Sequence, residues 1–230
     1  MTTVIVLEAT PHEIVAVKPA GLASETPRDP GADSLVARLR AQGFDDLRLV
    51  HRLDAPACGL MIVARTPDAA AHYGAEIAAR RWQKLYVAEV AAPLEHAMAI
   101  VGKHKAYLTT QGRRARLVRS GGKPSFLTVL CAAQAGAVPD RAHVLVQLHT
   151  GRFHQIRVML AGLGAPLAGD TLYGGPEGGM YLEHVMLAAR AYGTRELRVW
   201  RAPPHDERPP WDAALVEVLE TQQTVLLSEA

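Results

Sequence analysis

Cysteine is scarce in this sequence, which has only Cys58 and Cys131 among its 230 residues. No C-x-x-C pair occurs, so the chain has neither a disulfide framework nor the ligand spacing of a zinc site. A reducing compartment suits such a composition, and we expect a cytoplasmic protein. No apolar run is long enough to cross a bilayer, and no charged leader precedes an apolar core, so we expect no membrane association.

Motifs that bind the common cofactors are also missing. There is no Walker phosphate loop and no Rossmann glycine pattern, and the glycine-rich residues 174–179 predict a loop. His51, His149 and His154 have no carboxylate or cysteine at metal-ligand spacing, which favours hydrogen-bonded structural histidines over ligands. We therefore expect no metal and no cofactor.

Charge of one sign is not in large excess, because 25 basic residues face 23 acidic ones, for a net charge of +2. This total is weak evidence for a nucleic-acid partner, but a local cluster matters more. The densest basic run holds Arg113, Arg114, Arg116 and Arg119. Guanidinium groups suit phosphate because each can bond two oxygens. A solvated loop and a contact with nucleic acid are equally open for this run.

Apolar residues make up 49% of the chain, enough for the core of one domain or a tight two-lobed unit. Strands and helices are predicted in an order that does not alternate strictly. This order favours an α+β fold with a large, mainly antiparallel mixed sheet flanked by helices. The predicted strands are 4–7, 14–17, 47–51, 60–65, 84–90, 126–131, 143–148, 182–189 and 196–200. The predicted helices are 35–42, 66–81, 151–163 and one that starts at Pro209.

The periodicity also predicts details of three segments. Residues 84–90 alternate between apolar and polar, so one face of that strand should be buried. Residues 91–123 show little periodicity and predict short strands and loops. In the helix predicted from residue 151, the apolar residues recur at helical spacing and should share one face. They are Phe153, Ile156, Leu160 and Leu163.

The residues H-R-L-D at 51–54 lie between two apolar runs, just before a turn with Pro56 and Gly59. The pattern predicts strand, tight turn and strand, with Arg52 and Asp54 at the mouth of the turn. A charged pair between apolar runs is costly to bury unless its charges are compensated. A structural salt bridge and a functional pair are both open from these residues, and the salt bridge is the simpler explanation.

A second motif lies far along the chain. It is T-G-R-F-H-Q-I-R at residues 150–157, followed by G-D-T-L-Y-G at 169–174. Together with H-R-L-D, with K-P-A-G-L at 18–22 and with K-L-Y-V-A-E-V at 84–90, it resembles the RluA type of RNA pseudouridine synthases.

The resemblance implies a single catalytic domain over residues 1–230 with a central RNA-binding cleft. No separate N-terminal RNA-binding module is expected, because K-P-A-G-L begins at Lys18. The family isomerises specific uridines in RNA to pseudouridine without a cofactor. We expect the same here, by a monomer with no obligatory protein partner, with rRNA favoured slightly over tRNA as the substrate.

By the resemblance, Asp54 is the catalytic carboxylate, acting either as a nucleophile at C1′ or as a base at C2′. Arg157 is the cation that keeps this carboxylate charged and oriented. Tyr86 is the platform for the flipped uracil, although a core tyrosine on an alternating strand would have the same spacing.

The resemblance also assigns residues that bind the substrate. Arg52 fills the space that the flipped base leaves or holds its phosphate, and Ile156 closes the apolar side of the pocket. Arg152 binds phosphate at the start of a helix. One departure concerns Ala57 and Cys58, which stand where the family usually has Thr and Ser. The missing hydroxyl groups would have supported the turn that carries the catalytic carboxylate.

Two other functions are open. A non-catalytic RNA-binding or ribosome-assembly protein could use the same scaffold, although binding alone does not require the set Asp54, Tyr86 and Arg157. A glycosidase-like hydrolase would need a second carboxylate across the scissile bond. Asp170 is the candidate, but the resemblance makes it a structural residue of the G-D-x-x-Y-G turn.

Overall fold

The computed structural model describes residues 3–25, 32–204 and 211–228. The chain divides into two compact units. The first unit contains the described residues up to Trp82 together with Glu183–Ala202. The second contains Gln83–Leu182 and the described residues from Pro203 to Ser228.

Eleven strands and five α-helices form within the described residues. The strands are β1 (Ile5–Ala9), β2 (Glu13–Lys18), β3 (Arg48–Leu49), β4 (Cys58–Ala64), β5 (Gln83–Val90), β6 (Gly102–Gln111), β7 (Arg114–Val118), β8 (Lys123–Gln134), β9 (Ala142–Leu148), β10 (Leu182–Arg190) and β11 (Leu197–Arg201). The helices are α1 (Leu35–Ala41), α2 (Pro67–Ala78), α3 (Leu94–Ala99), α4 (Gln155–Gly162) and α5 (Ala213–Ser228). A short 3-10 helix covers Thr171–Tyr173.

In the first unit the sheet is built around β4, whose seven residues are all buried. β2 pairs antiparallel along one edge of β4, and β1 pairs outside β2. The other edge is shared, because β10 pairs parallel with the start of β4 and β3 pairs antiparallel with its end. Gly59 permits the close approach of β10, since a Cβ there would lie 2.4 Å from the His184 carbonyl oxygen.

Side-chain caps start the two helices of the first unit. Ser34 Oγ accepts from the Ala37 N–H at α1, and Thr66 Oγ1 accepts from the Ala69 N–H at α2. Pro67, the first residue of α2, has no N–H to leave unsatisfied. Buried residues of the sheet, of α2 and of the segment after α2 form one apolar cluster, which includes Leu60, Ile62, Tyr73, Trp82, Leu187 and Trp200.

The second unit has an antiparallel sheet with the strand order β5-β9-β8-β6-β7. Helices α3 and α5 contact β8 and β9, and α4 contacts β7. Leu117 on β7 lies where a side chain at Gly162 would project, because a Cβ there would be 2.2 Å from Leu117 Cδ1. The end of α4 therefore packs closely on β7.

The predicted α+β fold with a mainly antiparallel mixed sheet is confirmed, and β4–β10 supplies a parallel pair. Each predicted strand and helix has a counterpart, with shifted ends. Ser34 caps α1. Pro209 lies outside the described residues. The single domain without an N-terminal module, and its central cleft, stay predictions.

Four local predictions were wrong. Residues 91–123 form α3 and the long β6–β7 hairpin, because cross-strand pairing can order a sequence without local periodicity. The strand predicted at 47–51 is only Arg48–Leu49. Tyr86 and its neighbours in β5 are buried on both faces of the strand. Helix α4 begins at Gln155, so Phe153 precedes it and is 40% exposed.

Candidate active site

The predicted site residues belong to different units. Arg52 and Asp54 are in the first unit, whereas Tyr86, Arg152, Ile156 and Arg157 are in the second. Within each unit, the surrounding contacts show how these side chains are held.

The Asp54 turn connects β3 to β4. The Ala57 N–H donates to the Asp54 carbonyl oxygen at 3.0 Å, which closes a four-residue turn. On the preceding residue, Leu53, the N–H donates to Ser24 Oγ and the carbonyl accepts from the same hydroxyl. The backbone is thus fixed on both sides of the half-buried Asp54.

Lys18 holds the same turn through hydrogen bonds from its side chain. Its side chain is fully buried, and its Nζ donates to the carbonyl oxygens of Pro19, Leu22, Ala55 and Ala57. We call these four acceptors the carbonyl cage. The cage joins the end of β2 to the Asp54 turn through one cation, and it uses backbone groups that any residue at 55 or 57 would supply.

The Lys18 ammonium also sets the electrostatics of the turn. Burial lowers the pKa of Lys18 to about 8, and the attractions of Cys58 and Asp54 act in the opposite direction. A pKa near 8 leaves the group mostly charged at neutral pH. A positive charge therefore lies close to Asp54 within the first unit. The sequence had indicated Lys18 only as the first residue of the K-P-A-G-L motif.

Arg52 and His51 differ in their surroundings. The Arg52 side chain is 65% exposed and lies 3.5 Å from the equally exposed carboxylate of Glu25. Such an ion pair is weak in water. His51 Nε2 accepts from the Ile62 N–H, and its ring meets the edge of Trp82. The prediction that His51 is structural is confirmed, and the role of Arg52 stays a prediction.

In the second unit, Arg157 and Asp170 form a buried ion pair. Arg157 Nε donates to Asp170 Oδ2 at 2.7 Å, and Nη2 donates to Oδ1 at 2.8 Å. The two side chains are 7% and 1% exposed. Such two-pronged pairs fix the guanidinium plane as well as its position. Arg157 is therefore not a surface charge, and Asp170 is the partner that sequence reasoning missed; the pairing with Asp54 stays a prediction.

His154 and Tyr173 extend this pair toward β7. Arg157 Nη1 can only donate, so His154 Nε2 accepts from it at 3.1 Å. His154 Nδ1 then carries the proton and donates to Tyr173 Oη at 2.9 Å. The same Tyr173 oxygen accepts from the Ala115 N–H at 2.8 Å. A chain of hydrogen bonds thus connects Arg157 to the β6–β7 hairpin, and His154 is structural as predicted.

The loop before α4 is held by Gln155. Its Oε1 accepts from Thr150 Oγ1 at 2.8 Å and from the Arg152 N–H at 3.0 Å. Its Nε2 donates to the Phe126 carbonyl at 3.0 Å. Arg152 therefore lies in a rigid loop three residues before α4, rather than on the helix.

Tyr86 and Ile156 are buried, with 5% and 4% of their surfaces exposed. Burial suits an apolar pocket wall and a core position alike, so their roles stay predictions. His149 Nε2 is 2.8 Å from Thr128 Oγ1, which confirms a hydrogen-bonded structural histidine. Across residues 3–25, 32–204 and 211–228, no three His, Cys, Asp or Glu side chains are grouped to hold a metal. No helix in these ranges is long and apolar enough to cross a membrane.

The arginine run lies on the β6–β7 hairpin rather than in a loop. Arg113 is in the turn, Arg114 and Arg116 are on β7, and Arg119 follows it. All four are exposed. Between them, Ala115 and Leu117 face the body of the unit through Tyr173 and Gly162. The hairpin is therefore anchored on one side and carries its arginines toward solvent.

Comparison with known proteins identifies the family. The model of the RNA pseudouridylate synthase family matches residues 12–162, well over half of the chain. Ribosomal large subunit pseudouridine synthase D of Pseudomonas aeruginosa is 33% identical over 175 residues, which are 71% of this chain and 51% of that protein. YhcT, an uncharacterized RNA pseudouridine synthase of Bacillus subtilis, is 31% identical over 174 residues, 71% of this chain and 55% of that protein.

A third relative is matched over most of its length. The dual-specificity RNA pseudouridine synthase RluA of Escherichia coli is 29% identical over 186 residues, which are 80% of this chain and 84% of that protein. The chain spans only about half the length of the other two. The chain belongs to the RNA pseudouridylate synthase family, and within it to the RluA type that its motifs resemble.

Solved structures agree on the fold. Human RNA pseudouridylate synthase domain containing 1 has a TM-score of 0.71 and 24% identity, with 95% of each chain covered. Human RNA pseudouridylate synthase domain containing 4 has a TM-score of 0.65 and 20% identity, with 86% of this chain and 88% of that chain covered. At these identities the similarity establishes the fold alone.

The carbonyl cage predicts the effect of removing the Lys18 ammonium. Lys18→Met keeps the apolar stem but leaves four carbonyl oxygens, two of them in fully buried contacts, without this donor. We expect the free energy of unfolding in urea to fall by about 2–4 kcal/mol, because each unsatisfied buried group costs roughly 1–3 kcal/mol. Lys103→Met, the same change at an exposed lysine, should stay within about 0.5 kcal/mol of wild type. Equal stabilities of the two variants would contradict a stabilising cage.

The buried ion pair predicts the effect of neutralising Asp170. Asp170→Asn keeps the side-chain shape but leaves the Arg157 charge uncompensated. We expect unfolding to become easier by about 3–5 kcal/mol, the usual result of removing one partner of a buried pair. Asp140→Asn in the exposed β8–β9 turn is the matched control. A fully stable Asp170→Asn protein without activity would instead favour a catalytic carboxylate at this position.

Proposed function

We propose that this protein isomerises uridine in RNA to pseudouridine, with Asp54 as the catalytic carboxylate. The supporting observation is the Asp54 turn, which lies within the matched residues 12–162 and is fixed by Lys18 and Ser24. A turn fixed from both sides supplies a positioned carboxylate, which binding alone would not require.

The reaction breaks the C1′–N1 bond, turns the uracil and forms a C1′–C5 bond. N1 gains a proton and C5 loses one, so no oxidant or reductant is needed. Asp54 either attacks C1′ or removes the C2′ proton, and both roles require the ionised carboxylate. The Lys18 ammonium is close enough to Asp54 for the two charges to attract each other.

The second unit supplies the other proposed roles. Tyr86 stacks on the flipped uracil, Ile156 closes its apolar side and Arg157 orients Asp54. The Asp170 pair supports the role of Arg157, because it fixes the guanidinium plane. Arg52, exposed beside the turn, fills the vacated stack or holds the phosphate, and Arg152 holds a phosphate.

The proposed substrate is rRNA first and tRNA second. The relatives named for the ribosomal large subunit and for dual specificity support this order. We further propose that the protein acts in the cytoplasm, as a monomer. A hydrolase is disfavoured, since Asp170, its second carboxylate, is buried and engaged by Arg157.

Tritium release from RNA labelled at uridine C5 tests the activity. Wild type should release tritium from at least one unmodified rRNA or tRNA transcript, because C5 loses its hydrogen only when a bond forms there. Asp54→Ala should bind that RNA and release none, and Asp45→Ala, at an exposed acid of the same unit, should match wild type. Tight RNA binding without any release by wild type would instead support a non-catalytic RNA-binding protein.

The exposed arginines of the β6–β7 hairpin are proposed to contact the RNA backbone. Arg114→Gln and Arg116→Gln should each weaken RNA binding and flatten the plot of log affinity against log salt by about 0.7–0.9. Arg40→Gln, at an exposed arginine of α1, should leave that slope unchanged. If both hairpin variants keep the wild-type salt slope, the arginine run is a solvated surface that does not contact RNA.

A further inference from the structure

Lys84 is a cation without a partner among the described residues. It lies on β5, and its side chain makes no hydrogen bond or ion pair to any of the described residues. Burial alone lowers the pKa of Lys84 to about 8, with no acidic group acting in the opposite direction. Lys84 is therefore still charged for most of the time at neutral pH, in surroundings that disfavour the charge.

Two buried cations, Lys18 and Arg157, are compensated by the protein, whereas Lys84 is half-buried. Lys18 has the carbonyl cage, and Arg157 has Asp170 and His154. An uncompensated buried charge lowers stability and contributes nothing to folding. Of these three cations, only Lys84 has no partner among the described residues. This difference points to a negatively charged partner that comes from outside the protein.

Gly151 leaves room for this partner. A Cβ built on Gly151 would lie 3.6 Å from Lys84 Nζ, so the ammonium stands directly beside this backbone. The φ of Gly151 is not in the left-handed region, and the conformation is open to other residues. Glycine is also used where a ligand approaches the backbone closely, and this use fits a position whose missing side chain exposes a cation.

Arg152, the residue after Gly151, carries a second unsatisfied donor. Its Nε is buried and has no hydrogen-bond partner in the described part of the chain. Its backbone is held by Gln155, which also holds Thr150. Lys84 Nζ thus lies beside Gly151, and Arg152 follows Gly151 in the chain. Within the described residues, neither side chain forms an ion pair with a carboxylate.

We propose that Lys84 and Arg152 together bind one phosphate group of the RNA backbone, next to the flipped uridine. A phosphodiester suits them, because Lys supplies a point charge and Arg a fork of N–H donors. Lys84 and Tyr86 are two residues apart on one face of β5, about 7 Å along the strand. A uracil on Tyr86 would bring its own backbone phosphate close to Lys84. This phosphate site rests on the proposed function, in which Tyr86 holds the flipped base.

Lys84→Met tests the site through two readouts. RNA binding should weaken by about tenfold, and the slope of log affinity against log salt should fall by about 0.7, the value for one single-strand phosphate contact. The melting temperature of the free protein should rise, because the variant loses an uncompensated charge and keeps the apolar stem. Lys84→Arg should keep the salt slope.

Lys123→Met is the matched control, with the same chemical change at an exposed lysine at the start of β8. It should not raise the melting temperature. Unchanged RNA affinity and slope for Lys84→Met would overturn the proposal, and so would a fall in its melting temperature. Inorganic phosphate serves as a second probe of the site. If phosphate raises the melting temperature of wild type but Lys84→Met binds RNA normally, the site takes a small anion and the RNA proposal is wrong.

The test is separable from that of the proposed function. Loss of one salt-dependent contact in Lys84→Met, with no tritium release by wild type, would support the phosphate site on a non-catalytic RNA-binding protein. Tritium release that depends on Asp54, with Lys84→Met binding RNA like wild type, would support the enzyme and overturn the phosphate site.

Discussion

The carbonyl cage around Lys18 is the interaction on which the position of Asp54 depends. One ammonium joins the end of β2 to the backbone of the turn between β3 and β4, and Ser24 fixes the residue before Asp54. Because the acceptors are backbone oxygens, the turn keeps its shape without the hydroxyl groups usual in the family. This explains how Ala57 and Cys58, both buried, can replace Thr and Ser.

In the second unit, a carboxylate rather than a set of carbonyl groups compensates the buried cation. Arg157 is buried, so it needs both a counter-charge and acceptors for its N–H groups. Asp170 supplies the charge, and His154 accepts one further N–H. Through Tyr173 this arrangement also reaches the backbone of β7. The orientation of Arg157 and the anchoring of the arginine hairpin are thus parts of one hydrogen-bond network.

Compensation of charge also separates structural from substrate-facing cations. Lys18 and Arg157 are satisfied by the protein and serve its architecture. The hairpin arginines are hydrated at the surface, where an unpaired charge costs little. Lys84 is neither satisfied nor fully hydrated, which is the state expected of a side chain whose partner arrives with the substrate.

By itself the sequence determined what depends on local pattern. The apolar run of β4, the cap and proline that start α2, and the motif residues Asp54 and Arg157 were all evident from it. Only the tertiary structure decided the partners of the buried charges. Lys18 meets carbonyl groups 37 and 39 residues away, and backbone oxygens carry no side-chain signal. The partner of Arg157 lies in a different motif, because long-range packing rather than local spacing determines which groups share a dry environment.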